Sequence, residues 1–222
     1  MSVPSASLEL RRGELVLTTA TAVAALAGLG IQLGLALADP GPAGVAHATV
    51  RYLSYFTILS NLLVALACGL ALVGRGTAVG AFVGRPSVRT AIVLYIVVTG
   101  LVWSALLARY YHPHGVRWCT NALMHYAVPV LYPALWIAYV PHGRLVWSDA
   151  ARWLIFPAAY LGWTLARGAW SSEYPYGFVD VGQLGMTAVL RNATGLFVVF
   201  LVLGLGLVAI DRWLGRRATR AA

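Results

Sequence analysis

Charge is scarce in this chain. Of its 222 residues only 10% are charged, against about a quarter in an ordinary soluble domain. Hydrophobic residues make up 60%, and the mean hydropathy is +0.77. That balance excludes a conventional solvated surface and points to a membrane protein. Acidic residues number seven and lysine is absent, so all sixteen basic residues are arginine and the formal net charge is +9. The arginines sit singly or in pairs between apolar runs. They form no basic patch, so no nucleic-acid partner is expected; in such positions they report topology. An arginine-only basic set with an Ala, Gly and Val bias fits a GC-rich, bacterial genome. Cysteine is also scarce. Cys68 and Cys119 lie toward opposite ends of their apolar segments, roughly 20 Å apart in depth, so no disulfide between them is expected.

Long apolar runs are abundant. Six spans can be read: Leu15–Ala38, Tyr52–Val73, Thr90–Ala108, Cys119–Val140, Ala150–Ala169 and Asn192–Ile210. Each is close to the roughly 20 residues a bilayer-crossing helix needs. Backbone satisfaction in lipid then leaves one sensible class, an all-α integral membrane bundle of six helices in a single domain, residues 1–222. Placing the N-terminus inside puts eleven arginines on that side and leaves Arg51, Arg109, Arg117, Arg167 and Arg191 outside. Both termini are therefore expected to be cytoplasmic, in the cytoplasmic membrane of a bacterium. Arg11-Arg12 ahead of an apolar run imitates a signal peptide, but the run is too long for a signal core and reads as an uncleaved first helix. No internal repeat is evident. Gly30, Gly34 and Gly204 read as helix-packing positions.

Against this apolar background the buried polar residues stand out. His125 lies in Cys119-Thr-Asn-Ala-Leu-Met-His125-Tyr-Ala-Val-Pro129, and an imidazole in a span raises a functional-site hypothesis. Pro129 cannot donate to the His125 carbonyl, so the helix is expected to open or kink there. Thr57 falls about five residues inward on the second span and His125 about six inward on the fourth, which predicts a similar depth. Asn61 is i+4 from Thr57 and Asn121 is i−4 from His125, so each pair shares a helix face. The ordinary roles are structural: a membrane threonine bonds its own i−4 carbonyl, and asparagines act as interhelical glue. If Thr57 and His125 meet, imidazole can take the hydroxyl proton as oxygen attacks an acyl carbon. Asn61 or Asn121 could then steady the oxyanion.

At these residues the chain resembles the family of androgen-induced and androgen-dependent TFPI-regulating membrane proteins. The resemblance rests on Arg51-Tyr-Leu-Ser-Tyr-Phe-Thr57-Ile-Leu-Ser-Asn61, on Asn121-Ala-Leu-Met-His125 followed by Pro129, and on Tyr174-Pro-Tyr-Gly-Phe-Val-Asp180. It spans roughly residues 14–212, and order and spacing carry it, since each motif is short. The resemblance implies a multipass threonine hydrolase that cleaves fatty acid esters of hydroxy fatty acids. Its nucleophile corresponds to Thr57 and its base to His125.

The segment after the fifth span adds supporting candidates. Asp180 could orient His125 in a triad-like arrangement, or pair with Arg167 or Arg191 at the interface. Arg109, Arg117 and Arg167 could hold a fatty-acid carboxylate, with Tyr174 and Tyr176 beside it; the same arginines also serve as topology anchors. The expected partners are a lipid or fatty-acid ester substrate and the bilayer, with no cofactor. A zinc site built from His47, His112, His114, His125, Glu173 and Asp180 is the enzyme alternative, but His112-Pro-His114 matches no established ligand spacing. A small transporter or lipid-binding protein is the non-enzyme alternative. It would place its polar groups nearer the midplane.

Overall fold

The computed structural model describes residues Leu10–Ala221. Among them 82% are helical and no strand occurs. In chain order the helices are α1 (Arg12–Ala38), α2 (Gly44–Leu53), α3 (Phe56–Val73), α4 (Ala78–Val83), α5 (Pro86–Val102), α6 (Val116–Ala122) and α7 (Val128–Tyr139). They are followed by α8 (Trp147–Arg152), α9 (Ile155–Ser171), α10 (Val181–Leu184) and α11 (Met186–Ala221). A π-helical turn, Trp103–Leu107, extends α5, and a second, Leu123–Ala127, joins α6 to α7.

Five helical segments are long and apolar enough to cross a membrane: Arg12–Ala38, Phe56–Val73, Pro86–Leu107, Val116–Tyr139 and Met186–Arg220. They point to an integral membrane protein. Their outward side chains are apolar, as lipid-facing positions require: Val16, Val23 and Leu26 on α1, and Val198 and Val202 on α11, are all exposed.

The expected span Ala150–Ala169 is interrupted. Pro157 has no N–H for the Trp153 carbonyl, and the chain turns at Trp153–Leu154 between α8 and α9. What remains is a 17-residue α9, about 25 Å long and at the lower limit for a crossing helix. The second expected span starts late without any proline. Tyr52–Val73 is broken at Ser54–Tyr55, and the crossing helix begins at Phe56.

The described chain gathers into two compact units, each assembled from separated stretches. The first takes in the chain up to Gly30 and Asn61–Val140. In it α5 packs along α7, with Leu94, Val128, Tyr132 and Leu135 fully buried between them. Trp136 Nε1 donates to Thr90 Oγ1 at 2.8 Å, which satisfies the one polar atom of a large buried ring. Arg75 pairs with Glu14 at 3.0 Å. Close approaches include Gly13, where a Cβ would lie 2.5 Å from the Tyr139 hydroxyl, Gly28, where it would lie 2.8 Å from Met124, and Gly100, where it would press on Pro129. Gly30 and Gly34, expected to be packing positions, face open space; helix contact uses the neighbouring face of α1.

The second unit comprises Ile31–Ser60 and the chain from Pro141 on. Phe56 sits among Phe156, Tyr160 and Phe200 with ring centroids 5.2–5.7 Å apart. Asp211, fully buried in α11, accepts the Leu145 N–H at 3.0 Å and faces His142 Nδ1 at 3.2 Å. The Gly143 N–H donates to the Asp211 carbonyl, and the chain at Gly143 lies so close to Gly215 that a Cβ there would collide with it. A buried carboxylate is tolerable only with such partners.

Candidate functional site

Thr57 owes its setting to the break between α2 and α3. The Ser54 hydroxyl bonds back to the Val50 carbonyl at 2.7 Å, and Ser54 and Tyr55 close the turn through i→i−3 bonds. A buried break must satisfy the polar groups it frees. Tyr160 does so, its hydroxyl donating to the Ser54 carbonyl at 3.0 Å, while Trp163 Nε1 donates to Ser54 Oγ at 3.2 Å. Both come from α9. Thr57 then occupies the first turn of α3, where backbone N–H groups have no intrahelical acceptor.

One of those groups has found a side chain. The Thr57 N–H donates to the Tyr176 hydroxyl at 3.3 Å, and Thr57 Oγ1 lies 3.3 Å from the same oxygen. The Tyr176 ring meets Tyr55 edge-on at 5.7 Å and stacks on Phe178 at 5.2 Å. Burial pushes the Tyr176 phenol above its ordinary pKa, with its hydrogen bonds to Thr57 acting in the opposite direction. It is therefore a protonated phenol at neutral pH.

Next to this contact lies a cavity of about 270 Å³ whose walls include Arg51, Tyr55, Arg167, Ser172, Glu173 and Asp180. Arg167 is 2% exposed; its guanidinium binds the Glu173 carboxylate and, at 3.2 Å, the Glu173 carbonyl. The other Glu173 oxygen faces His47 Nε2 at 3.1 Å. Two features hold the loop after α9 in place. Ser172 takes a left-handed conformation, φ 56°, which ends α9 as such residues commonly do. Gly168 leaves room for the Tyr174 ring, which a Cβ would meet at 2.0 Å. A polar cavity lined by two arginines and two carboxylates, with hydroxyls beside it, can take the polar head of an amphiphile.

His125 belongs to the first unit and has a different kind of setting. It is buried within the π turn Leu123–Ala127. That turn closes with the Val128 N–H bonding the Leu123 carbonyl. The shift leaves the Met124 carbonyl facing residue 129, a proline without an N–H. Asn61 Nδ2 donates there instead, at 3.4 Å. The imidazole bonds the Asn121 carbonyl and stacks on Trp103, with centroids 4.2 Å apart and planes 23° apart. Trp103 is held in turn by its Nε1 donating to Tyr126 at 3.1 Å.

The predicted site residues therefore divide. Arg167, Tyr174 and Asp180 line one cavity, and Tyr176 touches Thr57 directly. His125, Asn121 and Asn61 share the surroundings of one π turn, where Asn61 supports backbone. Asp180 caps α10 by accepting the Gln183 N–H at 3.0 Å, and the ion-pair partner of Arg167 is Glu173, not Asp180. Arg109 and Arg117 are exposed, the former lying over the Tyr110 ring. Cys68 and Cys119 are free thiols. No group of three or more metal-ligating side chains comes together among the described residues. Sequence reasoning passed over Arg51, Tyr55, Ser54 and Trp103, whose partners lie too far along the chain to be inferred from spacing. Compared with family models, curated proteins and solved structures, the chain finds no match.

Proposed function

We propose that this protein is an intramembrane hydrolase of long-chain lipid esters, such as fatty acid esters of hydroxy fatty acids, with Thr57 as nucleophile and His125 as base. The observation that carries the reading is the Thr57 hydroxyl, set in the first turn of α3 against the Tyr176 phenol and next to a cavity with two arginines in its wall. A threonine whose only role was to bond its own i−4 carbonyl would not need that arrangement. His125 supports the reading from its own surroundings, as a buried imidazole whose ring is oriented by Trp103 and the Asn121 carbonyl.

In this mechanism Thr57 Oγ1 attacks the ester carbonyl while its proton passes to the imidazole. The proton then goes to the departing alkoxide, and water cleaves the acyl-threonine by the reverse sequence. The acyl chain lies among the helices, and the acidic head, where the substrate has one, sits by Arg167. The proposal includes six crossing segments, with α9 as the short one, both termini in the cytoplasm, and a bacterial cytoplasmic membrane.

The test is an esterase assay on the detergent-purified protein with branched fatty-acid esters and simple long-chain esters. Thr57→Ala and His125→Ala are each expected to lower turnover by about 100-fold or more at unchanged thermal stability. Wild-type rates in both variants would overturn the assignment. A transporter or lipid-binding protein would give no turnover in any form. A long-chain fluorophosphonate is expected to label the wild type and not Thr57→Ala.

A further inference from the structure

The ester-hydrolase reading names a nucleophile and a base but leaves the negative charge of the tetrahedral intermediate without a donor. Asn61, the sequence's first candidate, is fully buried and donates to the Met124 carbonyl. Moving it would strip a backbone acceptor that Pro129 cannot serve. The Tyr176 hydroxyl, by contrast, lies beside the reacting oxygen.

We infer that the Tyr176 hydroxyl is a catalytic residue, the hydrogen-bond donor to the oxyanion that forms when Thr57 attacks the ester. The inference rests on the hydrolase reading and deepens it. Tyr176 oxygen is 3.3 Å from both Thr57 N and Thr57 Oγ1. It accepts the Thr57 N–H with a lone pair, which leaves its own hydrogen to donate beside Oγ1. As Oγ1 bonds to the carbonyl carbon, the C=O π pair moves onto the carbonyl oxygen and the threonine proton goes to the base. The new oxyanion, on the carbon that Oγ1 has just joined, comes within reach of the phenol O–H. Collapse restores the C=O, expels the alkoxide with the transferred proton and returns Tyr176 to its resting bond. No proton leaves the phenol at any point.

The side chain is built for a fixed donor. Its ring is held edge-on by Tyr55 and face-on by Phe178. The loop that carries it is tied down by the Tyr174 ring over Gly168 and by Glu173 on Arg167. Burial keeps the phenol protonated. Preorganised donors of this kind stabilise developing charge because they need no reorganisation during the reaction.

Tyr176→Phe tests the inference, since it removes one oxygen and keeps both ring contacts. The expected result is a 10²–10³-fold fall in kcat, the range for losing one oxyanion donor, with KM within about threefold. A long-chain trifluoromethyl ketone, which forms a tetrahedral adduct with the nucleophile, is expected to lose affinity in parallel with the fall in kcat/KM. Thermal unfolding in detergent checks that the variant is folded. A wild-type kcat in Tyr176→Phe, or a defect confined to KM, overturns this inference. If Thr57→Ala is inactive in the same assay, the hydrolase reading survives that failure. If Thr57→Ala retains turnover, both fall.

Discussion

Two interruptions of helical structure give this protein its candidate chemistry, and they are resolved in opposite ways. At Leu123–Ala127 the irregularity is absorbed mainly within the helix. A π turn takes up one extra residue, Val128 bonds Leu123, and a single side chain, Asn61, serves the carbonyl left over beside Pro129. At Ser54–Tyr55 the helix stops outright, and the freed groups depend on Tyr160 and Trp163, more than a hundred residues further on. The first break is announced by a proline close by. The second is made possible by partners supplied from elsewhere in the chain, and nothing in its local sequence requires it. A break of the first kind tolerates change nearby. One of the second kind fails when a distant residue changes.

The sharpest way to break that contrast is Gly168→Ala, which adds a single methyl far along the chain from Thr57. The added Cβ would meet the Tyr174 ring at 2.0 Å, so the ring and the loop carrying Tyr176 must move. Overpacking of this kind costs about 2–3 kcal/mol, read as a fall in the thermal midpoint. Loss of ester turnover is expected to accompany it. An unchanged midpoint and full activity would show that the loop is not held as described.

Tyr160→Phe comes next. It leaves the Ser54 carbonyl without its donor and is expected to cost about 1–2 kcal/mol, again by thermal unfolding. Pro129→Ala should have the smallest effect, within about 1 kcal/mol, because an alanine there regains an N–H for the carbonyls preceding it while losing the rigidity of the ring. If Pro129→Ala proved more damaging than Tyr160→Phe, the contrast between a break absorbed mainly within its helix and one that depends on several distant side chains would be reversed.

Much of the fold was legible because membrane helices declare themselves by length and apolarity. Three expected spans correspond to crossing segments with ends shifted by a few residues, Asn192–Ile210 lies within the much longer segment Met186–Arg220, and a fifth survives from Phe56 onward. The missed features share a cause. Ser54 lies between the amphipathic α2 and the apolar α3, and hydropathy does not register where a buried hydroxyl turns. Pro157 was visible, yet proline is tolerated in membrane helices, so its breaking of the fifth span could not be read from composition. For the candidate site, residue types were more informative than residue pairings. Asp180 and Arg167 were both marked, but the sequence offered no way to choose Glu173 as the partner of Arg167, because loop geometry decides which carboxylate reaches it.

Composition alone established an all-helical, membrane-type chain and marked Thr57, Asn61, Asn121 and His125 as polar residues too costly to bury without a reason. Those conclusions need only local periodicity and the free energy of taking polar groups out of water. Tertiary structure decided the remainder: that Thr57 opens a helix instead of lying within one, that its hydroxyl meets Tyr176, and that His125 rests on Trp103. Each depends on side chains brought together from distant parts of the chain. Hydrogen-bond and ring geometry, defined only once the backbone has folded, specifies them.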